Sequence, residues 1–178
     1  MRVTEQFVLF FSGQDVFSQW YPSTFTVKGK VFPTAEHYMM YCKACLHGDT
    51  KTAELILRSK TPREAKALGR KVSPFNPALW EKKATSYVRQ ASLAKFRQNP
   101  KLRVQLLSYA GKRFVEASPY DKIWGVGLRE TDNRILDPRN WKGRNLLGDV
   151  LTIVAGELAI EFSHEVPHGS QGADHEPS

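Results

Sequence analysis

Two residues in the segment PTAEHYMMYCK, Glu36 and Lys43, are the first in the sequence that could do chemistry together. On an α-helix, seven positions are two turns less about 20°, so the two side chains share a face roughly 10 Å apart along the axis. That is too far for an (i, i+4) ion pair, and a small substrate could lie between the tips. Glu36 falls in the predicted first turn, where the helix dipole favours the ionised carboxylate. The plainer alternative is a surface helix decorated with two charges.

Cys42 and Cys45 form a C-x-x-C on the same segment. A structural zinc site needs further ligands and the chain has no second cysteine pair, while a thioredoxin-type motif needs a βαβ setting. The pair reads as two partly buried thiols, and neither metal nor cofactor is expected. Further along, Trp124, Gly125 and Gly127 in WGVG offer an indole for stacking and backbone N–H groups a ligand can approach; equally, the indole could plug the core. Lys142 and Asn145 in WKGRN stand directly before a predicted helix, as a phosphate site or as simple capping by Asn145. Neither GxGxxG, GxxxxGK[ST] nor GxSxG occurs, which disfavours Rossmann dehydrogenases, P-loop enzymes and α/β-hydrolases.

Elements must position these groups. Thr34, after Pro33, is a good N-cap for a helix running to about Leu46, and Gly48-Asp49 ends it. Asp49 or Thr50 starts a second helix, and Thr61-Pro62 a third. Residues 78–98 read as a long amphipathic helix, Pro100 begins another that closes at Gly111, and the last spans about 146–162. FTVKGKVF reads as a hairpin turning at Lys28-Gly29-Lys30. The stretch from Ala117 to Asn145 is irregular and dense in Gly, Pro, Asn and Asp, and loops that long are usually functional. The expected fold is predominantly α: a compact single-domain helical bundle over residues 1–163, with short β-strands near the N-terminus. The polar, aperiodic tail 164–178 is expected to be disordered.

The chain has 178 residues, 41% of them hydrophobic and 25% charged, which suits one globular domain with a real core. No apolar run approaches the ~20 residues of a membrane span, and MRVTEQFVLFF lacks the marks of a signal peptide. With two cysteines only, the expected compartment is the cytoplasm, or the nucleus, with no membrane partner and a monomeric state. The net charge of +8 points to a polyanionic partner, either nucleic acid or a phosphorylated small molecule.

The order of the pieces says more than any one of them. VFSQWYPSTFTVKGKVFPTAEHYMMYCKA, AKALGRKV, Trp80, AKFRQNPKLRVQLL, ASPYDKIWGVGL and WKGRNLLG follow one another from about residue 8 to 160. This series resembles the NADAR (YbiA-like) family. The resemblance implies a mainly helical domain that cleaves N-glycosidic bonds. Two substrate types go with it: phosphorylated ribosylamino-pyrimidines of riboflavin synthesis, and ADP-ribose attached to guanine. By motif, Glu36 corresponds to the family's catalytic glutamate and Lys43 to its lysine. Trp80, Trp124 and Gly125 correspond to pocket residues, with Arg70, Gly127, Lys142 and Asn145 expected to help bind substrate. Val126 stands where some relatives carry an acid, so that duty passes to Asp121 or Asp137; Ala155 stands where many carry an arginine.

Both substrate types join ribose C1 to an exocyclic amine, so the sugar ring can open to an imine. Lys43 could then displace the base by transimination, giving a Schiff base that water hydrolyses, with Glu36 moving the protons. Alternatively, Glu36 steers water onto an oxocarbenium ion and Lys43 only binds. The basic charge and the free-standing domain favour ADP-ribosyl-guanine, in DNA, RNA or a nucleotide, over the pyrimidine. A reading of another class is a non-catalytic ADP-ribose or nucleic-acid binding module.

Overall fold

The computed structural model describes residues 1–165. Strands β1 (Arg2–Val3) and β2 (Phe7–Phe10) open the chain, followed by the hairpin β3 (Phe25–Val27) and β4 (Lys30–Phe32). Five helices come next: α1 (Ala35–Leu46), α2 (Thr50–Arg58), α3 (Pro62–Gly69), α4 (Pro77–Gln98) and α5 (Pro100–Leu107). Strand β5 (Arg113–Glu116) then leads into a long loop with two 3₁₀ turns, and α6 (Leu146–Glu161) completes the domain.

The helix ends follow local chemistry. Thr34 caps α1, Asp49 caps α2, Thr61 caps α3 and Asn76 caps α4, each side chain accepting a first-turn N–H. Helix α1 packs against α2, α3 and α4 and is buried on most of its surface. A polar group on it therefore either meets a cavity or goes unsolvated.

The expectation of a helical bundle with strands only near the N-terminus needs correction. Strand β5 lies in the second half of the chain and pairs parallel with β2, Phe7 opposite Arg113 through Phe10 opposite Glu116, while β1 pairs antiparallel on the other edge. Helices thus pack around a small mixed sheet. All four residues of β2 are buried because both of its faces are covered. Val8 and Phe10 face the helical core with Phe114, Val150 and Val154, while Phe7 and Leu9 join Val115, Val126 and Ile135 under the long loop. Four residues, RFVE, are too few to carry a periodic signal, and their partner strand is over a hundred positions away. The hairpin forms as expected, with Lys28 and Gly29 at positive φ. Of the tail expected to be disordered, His164 and Glu165 belong to a 3₁₀ turn with Ser163, and 166–178 lie outside the described residues.

Candidate active site

A two-part cleft opens where the parallel strands β2 and β5 end, the place where open sheets with parallel strands commonly bind ligands. Its inner chamber, about 290 Å³, is walled by Glu36, Met40 and Lys43 of α1, and by Lys66 and Arg70 at α3. Trp20, Trp80, Glu116, Asp121 and Trp124 complete the wall. The outer chamber, about 770 Å³, shares Trp20, Lys66, Arg70, Glu116 and Asp121 and adds Ser12, Tyr120 and Lys122. The shared residues make the two one continuous site.

Glu36 and Lys43 thus open into one chamber, as their spacing predicts, but the carboxyl of Glu36 titrates higher than its helix position suggests. The carboxylate is 6% exposed, and burial pushes it up to about 7 against the pull of Lys66 and a hydrogen bond from Trp20; Asp121 adds to the rise. Its backbone N–H is already taken by the Gln19 carbonyl at 3.0 Å. Desolvation outweighs the helix dipole here, since a first-turn dipole contributes at most ~2 kcal/mol and burial of a carboxylate costs more. Lys43 is shifted in the opposite direction. Burial lowers its amine first and the Arg70 guanidinium second, with Glu36 opposing. Its Nζ lies 4.5 Å from the ring centroid of Phe75 and 5.8 Å from that of Trp80.

Arg70, Trp80, Trp124 and Asp121 all reach the cleft. Asp121 also organises its own loop, Oδ1 accepting the N–H groups of Ile123 and Trp124 at 2.8 Å.

The other expected binding residues do not line either chamber. Gly125 is needed for packing: a Cβ there would stand 2.9 Å from the Glu116 carbonyl oxygen. Gly127, at φ +70°, lies against Lys142, whose backbone N–H donates to Val126 at 2.8 Å. Asp137 accepts the Arg139 N–H and pairs with its guanidinium at 2.7 Å. Asn145 is 0% exposed and adopts the left-handed conformation that asparagine tolerates. It neither caps α6 through its side chain nor holds a phosphate site open; instead it accepts Glu116 N–H and donates to the Phe114 carbonyl, both at 3.0 Å. It is a brace between β5 and α6.

Sequence reasoning missed Glu116, Trp20 and Lys66. The one available signal for Glu116 was an acid inside the apolar run FVEA. Cys42 is buried and Cys45 exposed, both as free thiols. The sequence His164-Glu165-Val166-Pro167-His168 has zincin spacing, but that motif needs a helix, Pro167 lacks a helical N–H, and residues beyond 165 are not described. Among the described residues no cluster of His, Cys, Asp and Glu could hold a metal, and no helix is long and apolar enough to cross a membrane.

A buried carboxyl poised near neutrality in the same chamber as an amine of lowered basicity is equipment for moving protons to and from a bound substrate. Residues 9–159 match the NADAR domain, and the chain belongs to that family. It is 43% identical over 171 residues to protein irg-1 of Caenorhabditis elegans, covering 87% of this chain and 81% of that one. It is 40% identical over 151 residues to N-glycosidase R617 of Acanthamoeba polyphaga mimivirus, covering 82% and 89%. The solved structure of Escherichia coli YbiA superposes with a TM-score of 0.73 at 32% identity, covering 96% of this chain and 94% of that one. The chain is thus a member of a family of N-glycosidases, which are hydrolases.

Proposed function

We propose that the protein hydrolyses the bond between ribose C1 and the exocyclic amine of ADP-ribosylated guanine, through a Schiff base on Lys43. The observation that carries this reading is the shape and charge of the cleft. Continuous with the inner chamber that holds Glu36 and Lys43 is the larger outer one, bordered by Lys66, Arg70 and Lys122. Pockets of about 300–1,000 Å³ suit drug-sized ligands, and the roomy cationic chamber suits a diphosphate with its nucleoside better than one ribose phosphate.

In this mechanism a carboxyl protonates the ribose ring oxygen and C1 becomes an imine with the exocyclic nitrogen. Lys43, with its basicity lowered by burial and by Arg70, attacks C1 as the free amine. The base then leaves as its neutral amine, and water hydrolyses the lysine imine with Glu36 accepting its proton. Trp80 and Trp124 line the chamber and are the aromatic residues available to contact the purine.

The test is incubation of the purified chain with ADP-ribosylated guanine, as nucleotide, DNA and RNA, and separately with the ribosylamino-pyrimidine phosphate. Mass detection of free ADP-ribose is expected from the first set. Release of ribose 5-phosphate from the pyrimidine alone would reverse the substrate assignment, and recovery of every ligand whole would make the protein a binding module.

A further inference from the structure

Hydrolysis of a glycosylamine needs a proton given to the departing nitrogen and a proton taken from the attacking water. A single carboxyl can serve these steps in turn, and two carboxyls can divide them. The cleft holds a second carboxyl that sequence reasoning passed over.

Glu116 is the last residue of β5, at the open carboxyl end of the parallel pair, and lines both chambers together with Trp20 and Asp121. Its backbone is held from two sides, its N–H by Asn145 Oδ1 and its carbonyl by the N–H of Val126, each at 3.0 Å. Its Oε2 is buried with no hydrogen-bond partner among the described residues. A buried carboxylate oxygen left unpaired is costly, and such groups in native proteins call for a reason. Phe114, two residues earlier on the same face of β5, is a fully buried apolar residue, so an apolar side chain would have suited this face of the strand.

We propose that Glu116 is a second catalytic carboxyl, facing Glu36 in the cleft and supplying the proton to the leaving base while Glu36 takes the proton from water. The inference rests on the N-glycosidase reading above and assigns a new residue within it. The step balances. The Glu116 carboxyl proton passes to the exocyclic nitrogen as the C1–N bond breaks, and the electron pair of that bond stays on nitrogen. Water bonds to C1, or to the imine carbon if Lys43 has displaced the base, and its proton goes to the Glu36 carboxylate. Transfer of that proton from Glu36 to Glu116 within the cleft restores the starting state.

The surroundings set which carboxyl is the acid. Burial, then Asp121 and Glu36, push Glu116 up to about 8 against the pull of Lys66. Glu36 reaches only about 7 because it has Lys66, Trp20 and Arg70 to counter its burial. The remaining charges at the cleft are Lys43 from α1 and Lys122 from the loop after β5, where Tyr120 also stands. On the α6 side, Asp149 is engaged by Arg113 at 2.8 Å and by Asn145 at 3.2 Å. Both carboxyls are thus raised into the neutral range, and Glu36, with more cationic and hydrogen-bonding neighbours, is the one the surroundings favour as carboxylate.

The experiment compares wild type, E116Q, E116D and E36Q as full chains. The probes are ribosylamine 5-phosphates of anilines of graded basicity, alongside ADP-ribosylated guanosine. In E116Q, kcat/KM at pH 7 is expected to fall on the order of 100-fold, the alkaline limb of the pH profile to disappear, and the rate to depend more steeply on the basicity of the leaving amine. E116D should recover part of the rate and the alkaline limb. Structural damage alone would lower all rates in proportion; such a uniform loss, or an E116Q rate within about 3-fold of wild type, overturns the proposal. A readout without turnover separates this from failure of the N-glycosidase reading. Infrared difference spectra at pH 7 should show a protonated-carboxyl band that E116Q weakens more than E36Q does. Its absence from wild type overturns the role of Glu116 whether or not any substrate is cleaved, whereas an intact band with no glycosylamine cleaved sinks only the functional reading.

Discussion

The ammonium of Lys95, on α4, donates to the Ser18 carbonyl at 2.9 Å where the side chain is only 2% exposed. Tyr21 and Phe96 place their rings 5.6 and 5.2 Å from the same nitrogen. This contact anchors the 18–20 segment, which supplies Trp20 to the cleft. Burial pulls the amine down to about 7 from 10.5. Between those values the unfolded chain holds the proton more tightly, so stability rises with pH from about 7 to 10.5, and the penalty for charging the buried amine is complete below about 7. Urea unfolding of Lys95→Met should show that this part of the pH dependence, roughly 4–5 kcal/mol at most, has gone. An unchanged slope would mean that Lys95 carries no such shift.

Asn145 predicts a loss of a different kind. Asn145→Ala removes an acceptor from the Glu116 N–H and a donor from the Phe114 carbonyl in a fully buried place. The expected cost is about 2–4 kcal/mol in chemical denaturation. Activity should fall further than stability explains, because the end of β5 that carries Glu116 loses its brace. A stability change below about 0.5 kcal/mol would contradict the bracing role.

The cleft carboxyls should cost stability at neutral pH. Glu36 rises from 4.5 to about 7 on folding, so the native state binds the proton more tightly and stability falls as pH climbs through that range. Glu36→Gln removes the penalty. Its melting temperature should exceed that of wild type at pH 8 and converge on it near pH 4, as differential scanning calorimetry can read. A variant less stable than wild type at pH 8 would show that the carboxylate is well solvated after all.

Turnover should end in Glu36→Gln and in Lys43→Ala while circular dichroism stays that of wild type. Full activity in either folded variant would remove that residue from the mechanism.

The covalent route has its own signature. Cyanoborohydride during turnover should leave a stable mass increase, equal to the ring-opened sugar moiety, on the peptide carrying Lys43. Lys43→Arg should abolish the adduct although it keeps the charge, and Glu36→Gln should slow its formation. Active turnover without an adduct, with Lys43→Arg retaining much of the rate, would leave Lys43 as a binding residue in an oxocarbenium mechanism.

Much of the frame was legible along the chain because its causes are local. Thr34 capping α1, Gly48 following its end, Thr61-Pro62 opening α3 and the Lys28-Gly29 turn depend on side chains within a few positions of one another. The shared face of Glu36 and Lys43 follows from helix geometry alone, and the ordered motifs sufficed to indicate the family. What only tertiary structure decided depends on burial and on partners far away in sequence. The pairing of β5 with β2 across more than a hundred residues brings Glu116 to the cleft, and no local pattern encodes that meeting. The same packing recruited Asn145 and Gly127 to structural duty, where their neighbours in sequence suggested a ligand. It also moved the titration of Glu36 up toward neutrality: the helix dipole can be read from position, but desolvation arises only when the surrounding structure closes over the carboxylate.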